Sequence, residues 1–411
     1  MLKLAMIGAG GYAFELIKRI NTLPDKIELV AVTSLPDRKD SGKSFCQSKG
    51  IAVYDNTDEM IRNVKGKADV IYLPVPIHKH FCLAKKCLDA GFDIILEKPP
   101  VATIHDFDEL IDIIKKRGIK IPVAFQYLYS GLVQNLKKRI VRGDFGKVKR
   151  IRGMAGWPRF DTYYARSDWA GKLHINGEWI LDGTINNPLA HMLSDELFLA
   201  SMKAGEMANP VSVEAELYHG HDIESEDTSS LRIITDKGVE ILFNASLCSD
   251  AKMDPFVIIE CEKAKIEYTG FCKATIMEEN GQVERINDDN EKRINMLTKL
   301  AEIYENGSQF PVSLQMCRPF TLVVNGAFES CGLPHRIEKK YLTFRAQTDS
   351  NGGTIKTIIE DIDHILRVAH ENGRLFSEVG AAWGKKSKIF DLKGYNKFPV
   401  NSNFLDLTAK T

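Results

Sequence analysis

Asp93-Ile94-Ile95-Leu96-Glu97-Lys98-Pro99-Pro100 decides how the rest of this 411-residue chain is read. The apolar run predicts a buried strand, and it breaks into a carboxylate, an amine and two prolines. Consecutive prolines neither extend a strand ladder nor continue a helix, so Glu97 and Lys98 fall at the strand's carboxyl end. Ligands bind at that edge in open α/β sheets. A lysine held there suits proton chemistry, because its pKa responds to burial and neighbouring charge. A solvated Glu–Lys pair closing a strand is the plainer alternative. The flanking pattern has to choose.

Working back to the N-terminus, Met1 to Ile7 reads as a strand, Gly8-Ala9-Gly10-Gly11-Tyr12-Ala13 as a turn, and Phe14 to Ile20 as an amphipathic helix. Strand, glycine turn and helix are the setting of a dinucleotide fingerprint. Gly8 permits the tight turn, Gly10 lets backbone approach a pyrophosphate at the helix N-terminus, and Ala13 is the third small residue. The next strand, Ile27 to Thr33, runs into Ser34-Leu35-Pro36-Asp37-Arg38-Lys39. Small hydroxyls at Thr33 and Ser34 with Arg38 nearby admit the 2′-phosphate of NADP. Asp37 turned inward would instead grip the free diol of NAD. NADP is permitted and NAD is not excluded.

The alternation continues with a helix over Asp55–Val64 (N-cap Asn56 or Thr57), a strand over Ala68–Leu73 and a helix ending near Gly91. A helix capped by Thr103 and a strand over Lys120–Phe125 follow the central strand, so a doubly wound parallel sheet is expected. His80, at the same edge as Lys98, is a candidate to face the cofactor, whereas His78 reads better as a solvated residue.

Beyond Phe125 the pattern changes. A helix over Gln134–Val141 and a strand over Lys147–Met154 lead into an irregular stretch, Arg159 to Gly177, rich in Tyr, Trp, Arg and Gly. Loops that long are usually functional or disordered, and the aromatic content argues for function. In Asn187-Pro188-Leu189-Ala190-His191, Pro188 suits a first helical turn with Asn187 as N-cap, which lets Asn187 and His191 face the same way. Alternating segments between Val211 and Ile286 predict an antiparallel sheet, with helices over Glu291–Tyr304, Ser313–Ser330 and Thr354–Ala369. The expected architecture is α/β. An N-terminal Rossmann domain (residues 1–125) with a doubly wound parallel sheet precedes a C-terminal α+β domain (126–411) with a large open antiparallel sheet.

Composition narrows the function classes. The 55 basic and 55 acidic residues cancel, which gives no electrostatic case for nucleic acid or an acidic membrane. No apolar stretch reaches the ~20 residues of a membrane helix. Met1–Ile7 enters a strand directly, without a signal-peptide pattern. Eight cysteines lack CxxC or metal-ligand spacing, and Cys82, Cys87 and Cys261 lie in apolar segments. Buried reduced thiols, no bound metal and a cytoplasmic location are expected.

At this point the chain resembles the Gfo/Idh/MocA family of NAD(P)-dependent oxidoreductases from Met1 to roughly Ser330. The resemblance rests on the Gly8–Ala13 turn, Pro76…His80, Glu97-Lys98-Pro99, and Val123-Ala124-Phe125-Gln126 leading to Gly143-Asp144-Phe145-Gly146-Lys147-Val148. It implies a cofactor site drawing on Gly8, Gly10, Gly11, Tyr12, Thr33, Ser34, Arg38, Pro76, His80, Glu97, Lys98 and Gln126. It implies Lys98 as the catalytic lysine and His191 as general base, and oligomer contacts on the open sheet in a homodimer or homotetramer. Where the family carries Asp four residues before that histidine, this chain has Asn187, which cannot stabilise an imidazolium as a carboxylate does. Asp182 is then a second candidate base.

Two function classes follow. In the first, a dehydrogenase acts on the CH–OH group of a sugar, sugar derivative or cyclic polyol. Lys98 and His191 handle the proton, Asn187 orients, and Trp169, Lys172, Asp182 and Asn187 hold the ring. An oxidoreductase that never releases its coenzyme is a variant of it. In the second, the same fold senses a nucleotide or sugar without turnover. Retention of both Lys98 and His191 favours the enzyme.

Overall fold

Short, mostly apolar strands alternating with amphipathic helices build the parallel sheet of the first unit. The computed structural model describes residues 1–34, 41–288, 291–348, 355–401 and 404, and the chain forms two units. The first comprises residues 1–101, 106–130 and 290–317. Its strands β1 (Leu2–Met6), β2 (Ile27–Thr33), β3 (Ala52–Tyr54), β4 (Val70–Leu73) and β5 (Asp93–Leu96) pair in parallel in the order β3-β2-β1-β4-β5. Every residue of β4 and all but Asp93 of β5 are buried, as expected where helices cover both faces of a sheet. Connecting helices are α1 (Tyr12–Ile20), α2 (Ser41–Ser48), α3 (Thr57–Val64), α4 (Ile77–Asp89) and α5 (Ile104–Arg117). The strand order reverses between β1 and β4, so the crevice of this sheet lies at their carboxyl ends. At α3 the Asn56 side chain accepts the Glu59 amide at 2.8 Å, a local N-cap of the kind its sequence announces.

One expected strand shrinks. Residues 120–125 run beside β5 only as an isolated bridge between Leu96 and Val123. Leu96 N donates to Pro122 O (3.1 Å) and Ala124 N to Leu96 O (2.9 Å), but Pro122 has no N–H with which to extend the ladder. The helix Lys292–Asn306, far along the sequence, also belongs to this unit, and Arg293 lies 5.6 Å from the Tyr12 ring centre.

The second unit comprises residues 102–105, 131–289 and 318–411. It contains α6 (Gly131–Arg142), β6 (Val148–Gly156), α7 (Asp161–Tyr164), β7 (His174–Ile175), β8 (Glu178–Trp179) and α8 (Ala190–Ala200). Strands β9 (Pro210–His219), β10 (Thr228–Thr235), β11 (Glu240–Ser246), β12 (Met253–Cys261), β13 (Ala264–Thr269), β14 (Lys273–Glu278) and β15 (Val283–Asn287) follow. The ten-stranded sheet runs β15-β14-β13-β12-β6-β11-β10-β9 and ends on His335–Arg336, with Phe390–Asp391 also on β9. It is antiparallel except where β6 meets β11 and where His335–Arg336 meets β9.

Three local expectations are corrected here. The α8 helix starts at Ala190 and its N-cap position is Leu189, so Asn187 is no cap. Its side chain is engaged with Asp182 instead. Residues 355–359 form a strand, and the helix begins only at Ile362. The β-branched run Ile355, Thr357, Ile358, Ile359 explains the difference. Cys82 is exposed and Cys261 half-buried, rather than both being enclosed.

Candidate active site

In the first unit, β5 delivers Glu97 into a buried setting. Glu97 is 4% exposed; Tyr72 Oη donates to its Oε1 at 2.6 Å and Lys98 N to its Oε2 at 3.0 Å. Burial raises the Glu97 pKa, against the Tyr72 hydrogen bond and the charge of Lys98. Lys98 itself is half-buried at the start of the turn. His80 is wholly enclosed, with Nδ1 2.8 Å from Pro99 O and Nε2 2.8 Å from Val75 O. Burial pushes its pKa down to about 4, against those carbonyls, which favour the charged ring. The imidazole therefore ties the loop after β4 to the turn after β5, and offers no accessible atom to a cofactor.

The glycine turn is braced as well. Gly8 has φ +113°, and its amide donates to Thr33 Oγ1 at 2.9 Å, so that hydroxyl serves the turn. Gly11 has φ +55° and precedes the first residue of α1, where a Cβ would meet no other atom within 4 Å. The space over the α1 N-terminus is open, which fits a pyrophosphate. Gly10 is half-buried in that turn, Tyr12 is exposed, and Ser34 and Gln126 are buried. Pro76 sits at the N-terminus of α4. Arg38 lies outside the described residues. Gly42, on which nothing in the sequence drew attention, packs so tightly that a Cβ would run into the carbonyl oxygen of Ala9.

In the second unit the long loop converges on Asp182. This carboxylate is 3% exposed; its Oδ1 accepts Asn187 Nδ2 at 2.7 Å, its Oδ2 accepts Gly171 N at 2.8 Å, and Arg166 approaches to 3.5 Å. Leu181, just before it, is a buried non-glycine residue at φ +50°, a conformation that bulky side chains avoid. With its oxygens engaged, Asp182 positions Asn187 more readily than it abstracts a proton. Arg166 also stacks on Tyr163 (3.7 Å) and Trp169 (4.8 Å). Lys172 pairs with Glu224 at 2.6 Å, near the surface. His191 lies in the first turn of α8, 8% exposed, its ring 6.2 Å from Phe271.

Sequence reasoning missed the groups that hold this loop. Glu226, fully buried, accepts the amides of Thr184 and Ile185 (3.0 Å for the latter), and Gly183 packs against it with no room for a Cβ. Burial lifts its pKa to about 8, against those two amides. Asp227 beside it accepts His221 Nδ1 at 2.8 Å, and Cys248 Sγ lies 3.3 Å from the same nitrogen. The carboxylate, imidazole and thiol thus gather within 4.8 Å of one another, a grouping the cysteine spacing gave no reason to expect. The signal in the sequence was two consecutive acids, Glu226-Asp227, opening a β segment, where carboxylates are otherwise depleted.

Comparison with known proteins bears on the first unit most directly. Residues 2–125 match the family model described as "Oxidoreductase family, NAD-binding Rossmann fold". The D-glucoside 3-dehydrogenase of Escherichia coli is 28% identical over 167 residues, 39% of this chain and 46% of that protein. The chain spans about half the length, or less, of the curated relatives it matches. The WlbA dehydrogenase of Bordetella pertussis, solved with NADH and UDP-GlcNAcA, is 18% identical with a TM-score of 0.65, covering 79% of this chain and 96% of its own. The UDP-N-acetylglucosamine 3-dehydrogenase GnnA of Acidithiobacillus ferrooxidans is 14% identical with a TM-score of 0.63, covering 79% and 95%. At these identities the solved structures establish the shared fold. The family match agrees with the dinucleotide reading of the glycine turn. Among the described residues, no helix is long and apolar enough to cross a membrane.

Proposed function

We propose that this chain, whose residues 2–125 belong to the NAD-binding Gfo/Idh/MocA oxidoreductase family, is an NAD(P)-dependent dehydrogenase acting on the CH–OH group of a sugar, sugar derivative or cyclic polyol. The observation that carries this reading is Lys98, set beside a buried carboxyl at the carboxyl edge of β5 within that family's fold. The sugar class is supported by the relatives' names, D-glucoside 3-dehydrogenase and UDP-N-acetylglucosamine 3-dehydrogenase.

A nicotinamide bound here would supply the acceptor for the substrate's carbon-bound hydrogen as hydride. The chain's own residues do the rest. Gly8, Gly10 and Gly11 with the first amides of α1 would hold the pyrophosphate, and Thr33 keeps the turn closed through the Gly8 amide. Ser34 and Arg38 belong to the ribose end, where a 2′-phosphate is tolerated. Lys98 and His191 form the proton-transfer pair: the ammonium steadies the alcohol oxygen and the imidazole takes its proton. Asn187, fixed by Asp182, orients the substrate, and Trp169 and Lys172 bound its ring. The same reading makes the ten-stranded sheet the surface of a homodimer or homotetramer, in the cytoplasm.

The test has two stages. Gentle denaturation of the purified protein, followed by mass spectrometry, should release a dinucleotide, and its mass tells NAD from NADP. Absorbance of the reduced nicotinamide should then grow with a member of a panel of hexoses, hexosamines, nucleotide sugars and inositols. Saturable binding of nucleotide and sugar with no turnover across the panel would move the chain to the sensor class.

A further inference from the structure

A cavity of about 330 Å³ opens in the second unit among Tyr164, His221, Arg336, Lys339, Leu342 and Phe344. None of the residues given a cofactor or substrate role above lines it. Its volume lies within the range of small-molecule sites.

His221 is its most informative wall. The residue is 3% exposed, and its Nδ1 is committed to Asp227 Oδ2 at 2.8 Å. Burial works against a charged Asp227, yet hydrogen bonds from His221 and the Gly220 amide outweigh it and hold the carboxyl below its usual range. In the neutral imidazole an ionised Asp227 fixes the proton on Nδ1, which leaves Nε2 as an acceptor. Nε2 is buried and has no hydrogen-bond partner among the described residues. The same is true of Tyr164 Oη, whose ring lies 4.7 Å from the imidazole. Buried polar atoms in native proteins are rarely left unmet, and two of them here belong to residues that line the same cavity.

The wall also says what kind. Tyr164 and Phe344, the latter 57% exposed, supply aromatic faces. At the rim Arg336 and Lys339 are balanced by Asp161 and Asp222, and Arg336 pairs with Asp222 at 3.0 Å. A bare anion finds no net positive charge here, whereas a ring bearing several hydroxyls finds stacking surfaces, acceptors and donors together. A metal ion fits less well. Asp227 Oδ2 already accepts Gly220 N (3.0 Å), His221 N (2.9 Å) and His221 Nδ1, and its Oδ1 accepts Thr228 Oγ1 (3.1 Å). Burial and the Asp227 charge keep the Cys248 thiol protonated.

We propose that this cavity is a second small-molecule site, taking a polyhydroxylated ring, in which His221 Nε2 accepts a ligand hydroxyl. The site is mechanically continuous with Asp182: Glu224 N and Ser225 N donate to Gly171 O, and Gly171 N donates to Asp182. It does not depend on the dehydrogenase reading.

The experiment is histidine-selective NMR of the full chain titrated with D-glucose, D-glucuronate and myo-inositol, in the wild type and in His191→Ala. His221→Gln identifies the His221 signals by their loss. At least one probe should shift those signals saturably in both proteins. Affinity, read by isothermal titration calorimetry because His221→Gln lacks the reporting signals, should fall about tenfold in His221→Gln, which removes the ring acceptor, and in Tyr164→Ala. Arg336→Ala, exposed and tolerant of change, should weaken it about threefold and guards against variants that fail to fold. The proposal is overturned if none of the probes moves the His221 signals. It is equally overturned if binding survives His221→Gln and Tyr164→Ala undiminished but is lost in His191→Ala, since the ligand would then sit at the dehydrogenase site alone.

Discussion

Lys98 reaches its place by continuing a strand, and the glycine turn reaches its place by ending one. Asn187 is positioned differently. Its side chain is fixed by Asp182, which is fixed by Gly171 eleven residues earlier, while the next turn hangs on Glu226 some forty residues later (42 to Thr184). The first arrangement is mainly backbone geometry set by strand ends, each braced by a single side-chain bond from a nearby strand. The second is a polar network in which each member depends on the others. Substitutions in the first unit should therefore act one at a time, and those in the second should be coupled.

The largest expected effects lie in the proposed proton-transfer residues, Lys98 and His191. Lys98→Ala and His191→Ala should each lower kcat by ~10²–10⁴-fold, the usual worth of a positioned acid or base, with coenzyme affinity nearly kept. Steady-state kinetics with separately measured nucleotide binding checks both halves. Equal loss of nucleotide affinity in Lys98→Ala would make it a cofactor-binding residue instead.

Next comes the glycine that the sequence concealed. Gly42→Ala forces a Cβ against the Ala9 carbonyl. It should cost about 1–3 kcal/mol, as overpacking does, and weaken nucleotide binding by displacing the turn. Denaturant melts with and without nucleotide measure the two effects together. A variant of unchanged stability and affinity would show that the turn tolerates displacement, and the picture of rigid strand-end positioning would fail.

A smaller effect, about tenfold in kcat/KM, is expected from Asp182→Asn and from Asn187→Ala. The double variant should be little worse than either, because one hydrogen bond links them. Strict additivity would break the contrast between the two units.

The same contrast explains what was legible beforehand. The strand-turn-helix at Gly8 and the strand end at Glu97-Lys98 are local patterns, and period and punctuation suffice to find them. The long loop's function was suggested by its aromatics, but its geometry was not. Asn187 looks like an N-cap from its neighbours, and only Asp182 in space diverts it. His80 looks like a ligand-facing residue until three carbonyls enclose its ring. Tyr72 is one more apolar strand residue in the sequence, and its hydroxyl bond to Glu97 depends on the pairing of β4 with β5. Long-range hydrogen bonds leave no periodic trace.

The smallest effect on turnover, and the sharpest on pH, should come from Asp195. It sits one turn beyond His191 on α8, fully buried, with its Oδ2 accepting Tyr268 Oη at 2.9 Å. Burial pushes its pKa up to about 8, against that hydrogen bond, and burial raises Glu196 beside it as well. An acid whose folded pKa exceeds its unfolded value of about 3.9 keeps its proton in the native state after the unfolded chain has lost it. The native state then binds more protons, so stability falls as pH rises from about 4 toward 8. Asp195→Asn cannot titrate and should flatten that slope, gaining on the wild type at the alkaline end while kcat stays nearly constant. Glu97, also raised by burial, should behave differently. Glu97→Gln flattens a slope of the same sign but sits against the Lys98 amide, so turnover should move with it. Denaturation across that pH range, run beside activity for both variants, separates a carboxyl that only supports its helix from one that also sets the lysine proposed to react. If Asp195→Asn leaves the slope unchanged, the proton is held elsewhere on α8, and Glu196→Gln is the variant that should remove it.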